Sequence, residues 1–128
     1  MLRKILAVDD SMLTHQMCRL FLARYKGSTL LSAMNGVEAL EQLGREAGID
    51  LILLDISMPM MNGIEFLRQV HEHPAWREIP VIIITTGDKE EQTLLAMRMG
   101  ARGFLRKPFQ APELRDLIEK VTGERAEG

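Results

Sequence analysis

Five side chains able to do chemistry stand at or near the carboxyl ends of short apolar segments in this chain. They are three carboxylates, one hydroxyl and one ammonium group: Asp9, Asp10, Asp55, Thr85 and Lys107. The segments that carry them are residues 5–8, 51–54, 81–84 and 103–106. If these segments are parallel strands of one sheet, the five side chains meet in a single crevice beyond the strand ends. Such a set is suited to handling a phosphoryl group.

The three carboxylates predict a site for a divalent cation. Carboxylates in one crevice repel one another, and the repulsion raises their pKa values unless a cation is present. Mg²⁺ is the expected ion because it takes oxygen ligands, commonly one or two carboxylates together with phosphate oxygens. Mn²⁺ is a substitute with similar ligand preference. Zn²⁺ is disfavoured because neither His nor Cys lies near the acidic positions in sequence.

With the cation held, one carboxylate is free to attack phosphorus and become an aspartyl phosphate. The transferred group carries negative charge on three oxygens, so its transfer depends mostly on positioning and on neutralisation of that charge. The cation could take one oxygen and Lys107 a second. Thr85 with backbone N–H groups could take the third.

Composition limits the classes of protein that remain. The chain has 128 residues, 46% of them hydrophobic and 27% charged, which predicts one globular domain. A net charge of −2 gives no electrostatic footprint for nucleic acid. No apolar stretch approaches the ~20 residues of a membrane span, and no secretory signal is apparent. Cys18 is the only cysteine, so a reducing cytoplasm is the expected location.

Strand-like and helical patterns alternate five times along the chain, which predicts a parallel sheet covered by helices on both faces. In the first helical segment Leu13, Met17 and Leu20 recur at helical spacing, and we expect His15 to be exposed there. Near the start of the fourth helical segment, Asp88 with an acidic residue three positions later predicts a helix N-cap. The apolar residues of that helix include Leu94, Leu95 and Met99.

Four sequence motifs, in this order, resemble the receiver domain of two-component response regulators. They are residues 4–11 (KILAVDDS), 55–63 (DISMPMMNG), 80–85 (PVIIIT) and 107–109 (KPF). The resemblance covers residues 1–122, followed by a short polar tail at 123–128. It implies an α/β fold of the flavodoxin-like doubly wound type, a (βα)5 three-layer sandwich. The five-stranded parallel sheet of that fold has the order 2-1-3-4-5.

The resemblance also implies roles for the acidic crevice. Asp55 would be the phosphoacceptor. Asp10 would bind Mg²⁺ directly, whereas Asp9 would act mainly through bound water, and the backbone carbonyl of Ser57 would complete the protein ligands. Lys107 would contact a phosphoryl oxygen and, before phosphorylation, Asp55.

A switch and an access path follow from the same resemblance. Thr85 would move towards the phosphoryl group, and Phe104 would swing into the vacated space. The Lys107–Pro108 peptide bond would be cis. Thr86 and Gly87, together with Ser57, would border the access of water and small phosphodonors to the phosphorylation site.

The function implied is a signalling switch that takes phosphoryl from a histidine kinase or phosphotransfer protein and then binds a downstream protein, as a monomer or a phosphorylation-dependent dimer. It would assist its own phosphorylation and dephosphorylation without being an enzyme. Alternatives are a receiver module of a larger regulator or hybrid kinase in a phosphorelay, and a haloacid-dehalogenase-like phosphatase. A phosphatase of that class needs a second Asp, as general acid, two residues after the nucleophile, and this chain has Ser57 there. A flavodoxin-type flavin binder is disfavoured because Asp9 and Asp10 would repel its phosphate.

Overall fold

The computed structural model describes residues 2–56, 58 and 61–126, within which strands and helices alternate. The elements are β1 (Lys4–Val8), α1 (Met12–Phe21), β2 (Thr29–Ala33), α2 (Gly36–Arg45), β3 (Leu51–Asp55), α3 (Gly63–Glu72), β4 (Val81–Thr85), α4 (Glu90–Arg98), β5 (Gly103–Arg106) and α5 (Ala111–Thr122). The strands form one parallel sheet in the order β2-β1-β3-β4-β5. The predicted fold and strand order are confirmed.

The sheet is buried on both faces because a hydrophobic cluster covers each of them. On one face α2, α3 and α4 pack over the sheet through residues such as Leu43, Phe66 and Ala96. On the other face α1 and α5 pack through residues such as Cys18 and Leu114. Side chains along each strand alternate between the two clusters, as the two-residue period of a strand requires. This explains why β3 and β4 read as continuous apolar runs.

The register of the sheet sets the position of the strand ends. Val8 pairs with Leu54, Asp55 with Ile84, and Thr85 lies beside β5 at its last residue. The residues that follow β1, end β3 and β4, and follow β5 therefore lie along one edge. That edge is the place where open parallel sheets bind ligands.

Helix α1 presents a different face to the sheet from the one its apolar pattern predicts. Thr14, His15 and Cys18 are buried, whereas Leu13 and Leu20 are 64% and 72% exposed. The predicted exposure of His15 is wrong, since its exposed fraction is 2%. Residues 9–11 connect β1 to α1, and this short link, closed by the Ser11 cap on the Thr14 N–H, fixes the rotation of the helix.

Helix α4 also differs from its prediction. Its N-cap is Lys89, without a side-chain cap hydrogen bond, so the predicted Asp88 cap is wrong. The Asp88 carboxylate instead accepts a hydrogen bond from the Thr86 hydroxyl. Leu94 and Leu95 are 53% and 44% exposed, and the smaller Thr93 and Ala96 face the sheet.

The opposite, amino-terminal edge of the sheet carries a separate cavity. It has a volume of about 580 Å³ and lies between the end of α2 and the α3–β4 connection. Trp76 lines it and stacks on His73, with ring centroids 3.8 Å apart and planes inclined by 12°.

Within the described residues, none of the helices combines the length and the apolar character that a membrane span requires.

Candidate functional site

Three carboxylates converge at the carboxyl edge of the sheet. Asp9, Asp10 and Asp55 each offer an oxygen, and these oxygens all lie within 4.8 Å of one another. Asp9 and Asp55 are 1% and 6% exposed, whereas Asp10 is exposed. The fold therefore buries two of the carboxylates and leaves the third facing solvent.

Asp9 is held through both its side chain and its backbone. Its Oδ1 accepts a hydrogen bond from the Ser11 N–H at 2.8 Å, and its own N–H donates to the Ala33 carbonyl at 3.0 Å. Its carbonyl oxygen lies 2.7 Å from Nε2 of the buried His15. A carbonyl can only accept, so the hydrogen of this bond is assigned to Nε2. The loop that carries the first two acidic residues is thereby tied to the sheet and to α1.

His15 is the residue of this region that the sequence reasoning missed. A histidine does lie beside the acidic cluster, contrary to the reasoning used against Zn²⁺. Its Nε2 is engaged by the Asp9 carbonyl, and its Nδ1 is buried without a hydrogen-bond partner in the described part of the chain. The ring therefore supports the loop from behind and is not among the grouped ligand oxygens. The sequence offered no signal for it, because its burial depends on the rotation of α1.

Lys107 provides the positive charge of the site. Its Nζ lies 2.7 Å from Asp9 Oδ2 and 3.7 Å from Asp55 Oδ2. Burial alone would lower the pKa of the ammonium group, but the hydrogen bond to Asp9 and the charges of Asp55, Asp9 and Asp10 outweigh burial and raise the pKa. Lys107 is therefore charged at neutral pH. The Lys107–Pro108 bond is cis.

Thr85 lies at the end of β4 and is 3% exposed. Its hydroxyl donates to the Thr86 carbonyl at 2.8 Å, and the Thr93 hydroxyl of α4 lies 3.4 Å from it. Phe104 is 49% exposed on β5. A cavity of about 100 Å³ lies between the hydroxyl groups of Thr85 and Thr93 and the ring of Phe104, and Met97 also lines it.

The residues expected to border access to Asp55 are only partly described. Thr86 and Gly87 are exposed at the end of β4. The hydrogen bond from Thr86, followed by one from the backbone of Asp88 itself, lowers the pKa of the Asp88 carboxyl. Thr86 is thus tied to the β4–α4 loop. Ser57, expected as a metal ligand and as part of the access path, lies outside the described residues.

The donor set fits a hard divalent cation. Three carboxylate oxygens within 4.8 Å of one another match the ligand preference of Mg²⁺, and one of them comes from a solvent-facing side chain. Mn²⁺ shares this preference. The acidic cluster is therefore compatible with a Mg²⁺ site.

The doubly wound parallel sheet and the acidic edge with its lysine define the class of this protein. Residues 5–119 match the response regulator receiver domain, and the chain belongs to that family. The family serves two-component signalling, and its members are signalling domains rather than enzymes in the usual sense.

Among curated relatives, chemotaxis protein CheY1 of Helicobacter pylori (strain ATCC 700392 / 26695) is 33% identical over 120 residues, which cover 94% of this chain and 97% of that protein. The solved structure of chemotaxis protein CheY4 of Vibrio cholerae matches with a TM-score of 0.84 and 32% identity, covering 94% of this chain and 99% of that one. NtrX of Brucella abortus matches with a TM-score of 0.85 and 28% identity, over 96% of this chain but 27% of its own. The domain thus makes up nearly all of the two chemotaxis proteins and about a quarter of NtrX.

Proposed function

We propose that this chain is a phosphorylation-activated switch of a two-component system, of the type found in chemotaxis. It accepts phosphoryl on Asp55 from a histidine kinase or phosphotransfer protein, with Mg²⁺ as cofactor, in the cytoplasm. The observation that carries the proposal is the convergence of three carboxylate oxygens within 4.8 Å, with the Lys107 ammonium group beside them. The similarity to CheY1 and CheY4 supports it.

Each residue of the crevice has a separate role in phosphoryl transfer. Asp55, at the end of a fully buried strand, is held in place to act as the nucleophile. The solvent-facing Asp10 would bind the cation directly, Asp9 would act through water, and the Ser57 carbonyl would complete the protein ligands. Bound Mg²⁺ would neutralise charge on the transferred group. Lys107 takes a second phosphoryl oxygen, and its raised pKa keeps it charged for that purpose.

The signal then leaves the site through β4 and β5. Thr85 moves its hydroxyl towards the phosphoryl group, and Phe104 turns from solvent into the cavity behind it. This changes the surface made by α4, β5 and α5, on which Leu94, Leu95 and Phe104 are exposed. A downstream protein binds there, and nucleic acid is not contacted directly. The chain acts as a monomer or as a phosphorylation-dependent dimer.

The same chemistry serves a second context, a receiver module within a larger regulator or a phosphorelay. The similarity to NtrX, of which the matched region is about a quarter, favours this alternative. The phosphorylation site would be identical, and only the recipient of the signal would differ.

Intact mass spectrometry tests the proposal. Incubation with Mg²⁺ and a phosphodonor, first acetyl phosphate and then an active histidine kinase, is expected to add one phosphoryl group. The gain should be absent in Asp55→Asn and without Mg²⁺. Asp116→Asn, which changes an exposed carboxylate on α5, is the matched control and should be phosphorylated normally. No gain with both donors would contradict the proposal.

A further inference from the structure

Helix α4 carries a buried hydroxyl group that touches the proposed switch residue. Thr93 is 7% exposed and faces the sheet from the first half of the helix. Its hydroxyl lies 2.7 Å from the Lys89 carbonyl oxygen and 3.4 Å from the Thr85 hydroxyl oxygen, and it shares its single hydrogen between these two acceptors. Thr85 in turn donates to the Thr86 carbonyl at 2.8 Å. A chain of polar contacts therefore joins the end of β4 to the first turn of α4.

We propose that Thr93 is a positioning residue that holds the Thr85 hydroxyl away from the phosphorylation site. The inference rests on the proposed function, in which Thr85 must move towards the phosphoryl group. Movement of Thr85 breaks its contact with Thr93. Breaking that contact costs free energy because water cannot easily replace it in the buried interior, although the Thr93 hydroxyl keeps the Lys89 carbonyl as a partner. The cost falls on the activated state, so the intact contact favours the state before phosphorylation.

The cavity beside Thr93 is a second reason to expect that the Thr93 hydroxyl favours the state before phosphorylation. Thr85 and Thr93 both line the cavity of about 100 Å³ that Phe104 borders and would enter on activation. Two hydroxyl groups make its wall partly polar, which disfavours an aromatic ring inside. Removing the Thr93 hydroxyl leaves Thr85 with one partner fewer and makes the cavity more apolar. Both changes favour the activated arrangement.

The test compares side chains of similar shape with and without the hydroxyl. Thr93→Val keeps the shape and removes the hydroxyl, Thr93→Ala removes it without adding bulk, and Thr93→Ser keeps it. The readout is the affinity for beryllofluoride, a phosphoryl mimic, at saturating Mg²⁺, measured by ¹⁹F NMR. We expect Val and Ala to bind about two- to threefold more tightly than the unchanged protein, the effect of a hydrogen bond at the weak end of the usual range. Ser should bind as the unchanged protein does.

Two further measurements separate positioning from a structural role. The Mg²⁺ affinity without beryllofluoride should be the same in all variants, because Thr93 touches none of the three carboxylates in the described contacts. In a Thr85→Ala background, Thr93→Val should no longer change beryllofluoride affinity, since the group it restrains is gone.

Unchanged or weakened beryllofluoride binding by both Thr93→Val and Thr93→Ala would overturn the inference, as would an equal effect in the Thr85→Ala background. Failure of the unchanged protein to bind beryllofluoride in Mg²⁺ is a different result. It would contradict the proposed function from which the inference starts.

Discussion

At the scale of single residues, the backbone around the acidic site is secured by a side chain that does no phosphoryl chemistry. The Asp9 carbonyl follows the last residue of β1 and is bonded by the His15 ring at 2.7 Å. Both partners are buried. A buried carbonyl without a partner is costly, so this contact stabilises the loop on which two of the three carboxylates stand.

The effect of His15 is testable by substitution. His15→Leu leaves the Asp9 carbonyl without its donor, and we expect the free energy of unfolding to fall by about 1–3 kcal/mol. His15→Gln keeps an N–H donor near the position of Nε2 and should recover part of this loss. Urea denaturation followed by circular dichroism measures both. Equal stability of the Leu and Gln variants would show that packing, and not the hydrogen bond, is what the ring provides.

Cys18 is predicted to be unreactive in the folded protein. Burial, followed by the negative charge of Asp9, raises the pKa of its thiol from 9.0 to about 12 despite the opposing charge of Lys107. At pH 8 the thiolate fraction is then about a thousandfold below that of an ordinary thiol. We expect a disulfide reagent to react quickly in urea and very slowly in buffer, with no half-maximal rate at pH 9. A rate that is half-maximal near pH 9 and levels off above it would show an accessible thiol of ordinary pKa.

At the scale of elements, the sequence predicted the strands and helices but not which face of a helix packs on the sheet. The alternation of apolar runs and helical patterns was enough for a parallel sheet and for the edge where Asp55 and Lys107 meet, because parallel strands place their carboxyl ends together. The order of the strands came from the resemblance to the receiver domain. The inner faces of α1 and α4 were predicted wrongly. Thr14 and Thr93 face the sheet while Leu20 and Leu94 face solvent, so the largest side chains do not mark the buried face.

Gly63 at the start of α3 shows how closely a helix approaches Asp55, the proposed phosphorylation site. A Cβ at this position would lie 2.6 Å from the Ile56 Cα and 2.8 Å from the Asp55 carbonyl oxygen, both of them backbone atoms. We expect Gly63→Ala to lower the thermal midpoint and to weaken phosphorylation of Asp55, because the end of β3 must shift.

Gly44 in α2 is the control for this substitution, with nothing within 4 Å of an added Cβ. Gly44→Ala should raise the free energy of unfolding by about 0.5–1 kcal/mol through helix propensity and lower unfolded-state entropy. Thermal unfolding of both variants and the extent of phosphorylation in the intact-mass assay provide the comparison. A Gly63→Ala protein as stable and as readily phosphorylated as the Gly44→Ala protein would contradict the close approach.

At the scale of the whole molecule, stability and cation binding are linked through the three carboxylates. Their mutual repulsion is a cost of folding that Lys107 offsets only in part, and a cation that binds the folded state relieves more of it. Cation binding at the acidic edge is therefore expected to raise the free energy of unfolding of the whole domain.

Mg²⁺ is accordingly expected to raise the thermal midpoint in a saturable manner. At a concentration one hundred times its Kd, the stabilisation should be about 2.7 kcal/mol. Asp10→Asn removes the solvent-facing ligand and should abolish most of the shift, whereas Asp116→Asn should preserve it. NaCl at matched ionic strength controls for screening. A shift of equal size in NaCl, or in Asp10→Asn, would count against a specific site.

Trp76 gives the molecule an optical property that follows from its position. It is the single tryptophan, and it lies against His73 before the start of β4, at the edge opposite the carboxylates. The five residues of β4, which runs from this edge to the carboxylate edge, span about 16 Å. Intrinsic fluorescence should therefore report loss of the folded structure and remain nearly constant when Asp55 is modified. Detecting the phosphorylated state by light requires a dye or a second indole placed at the carboxyl edge.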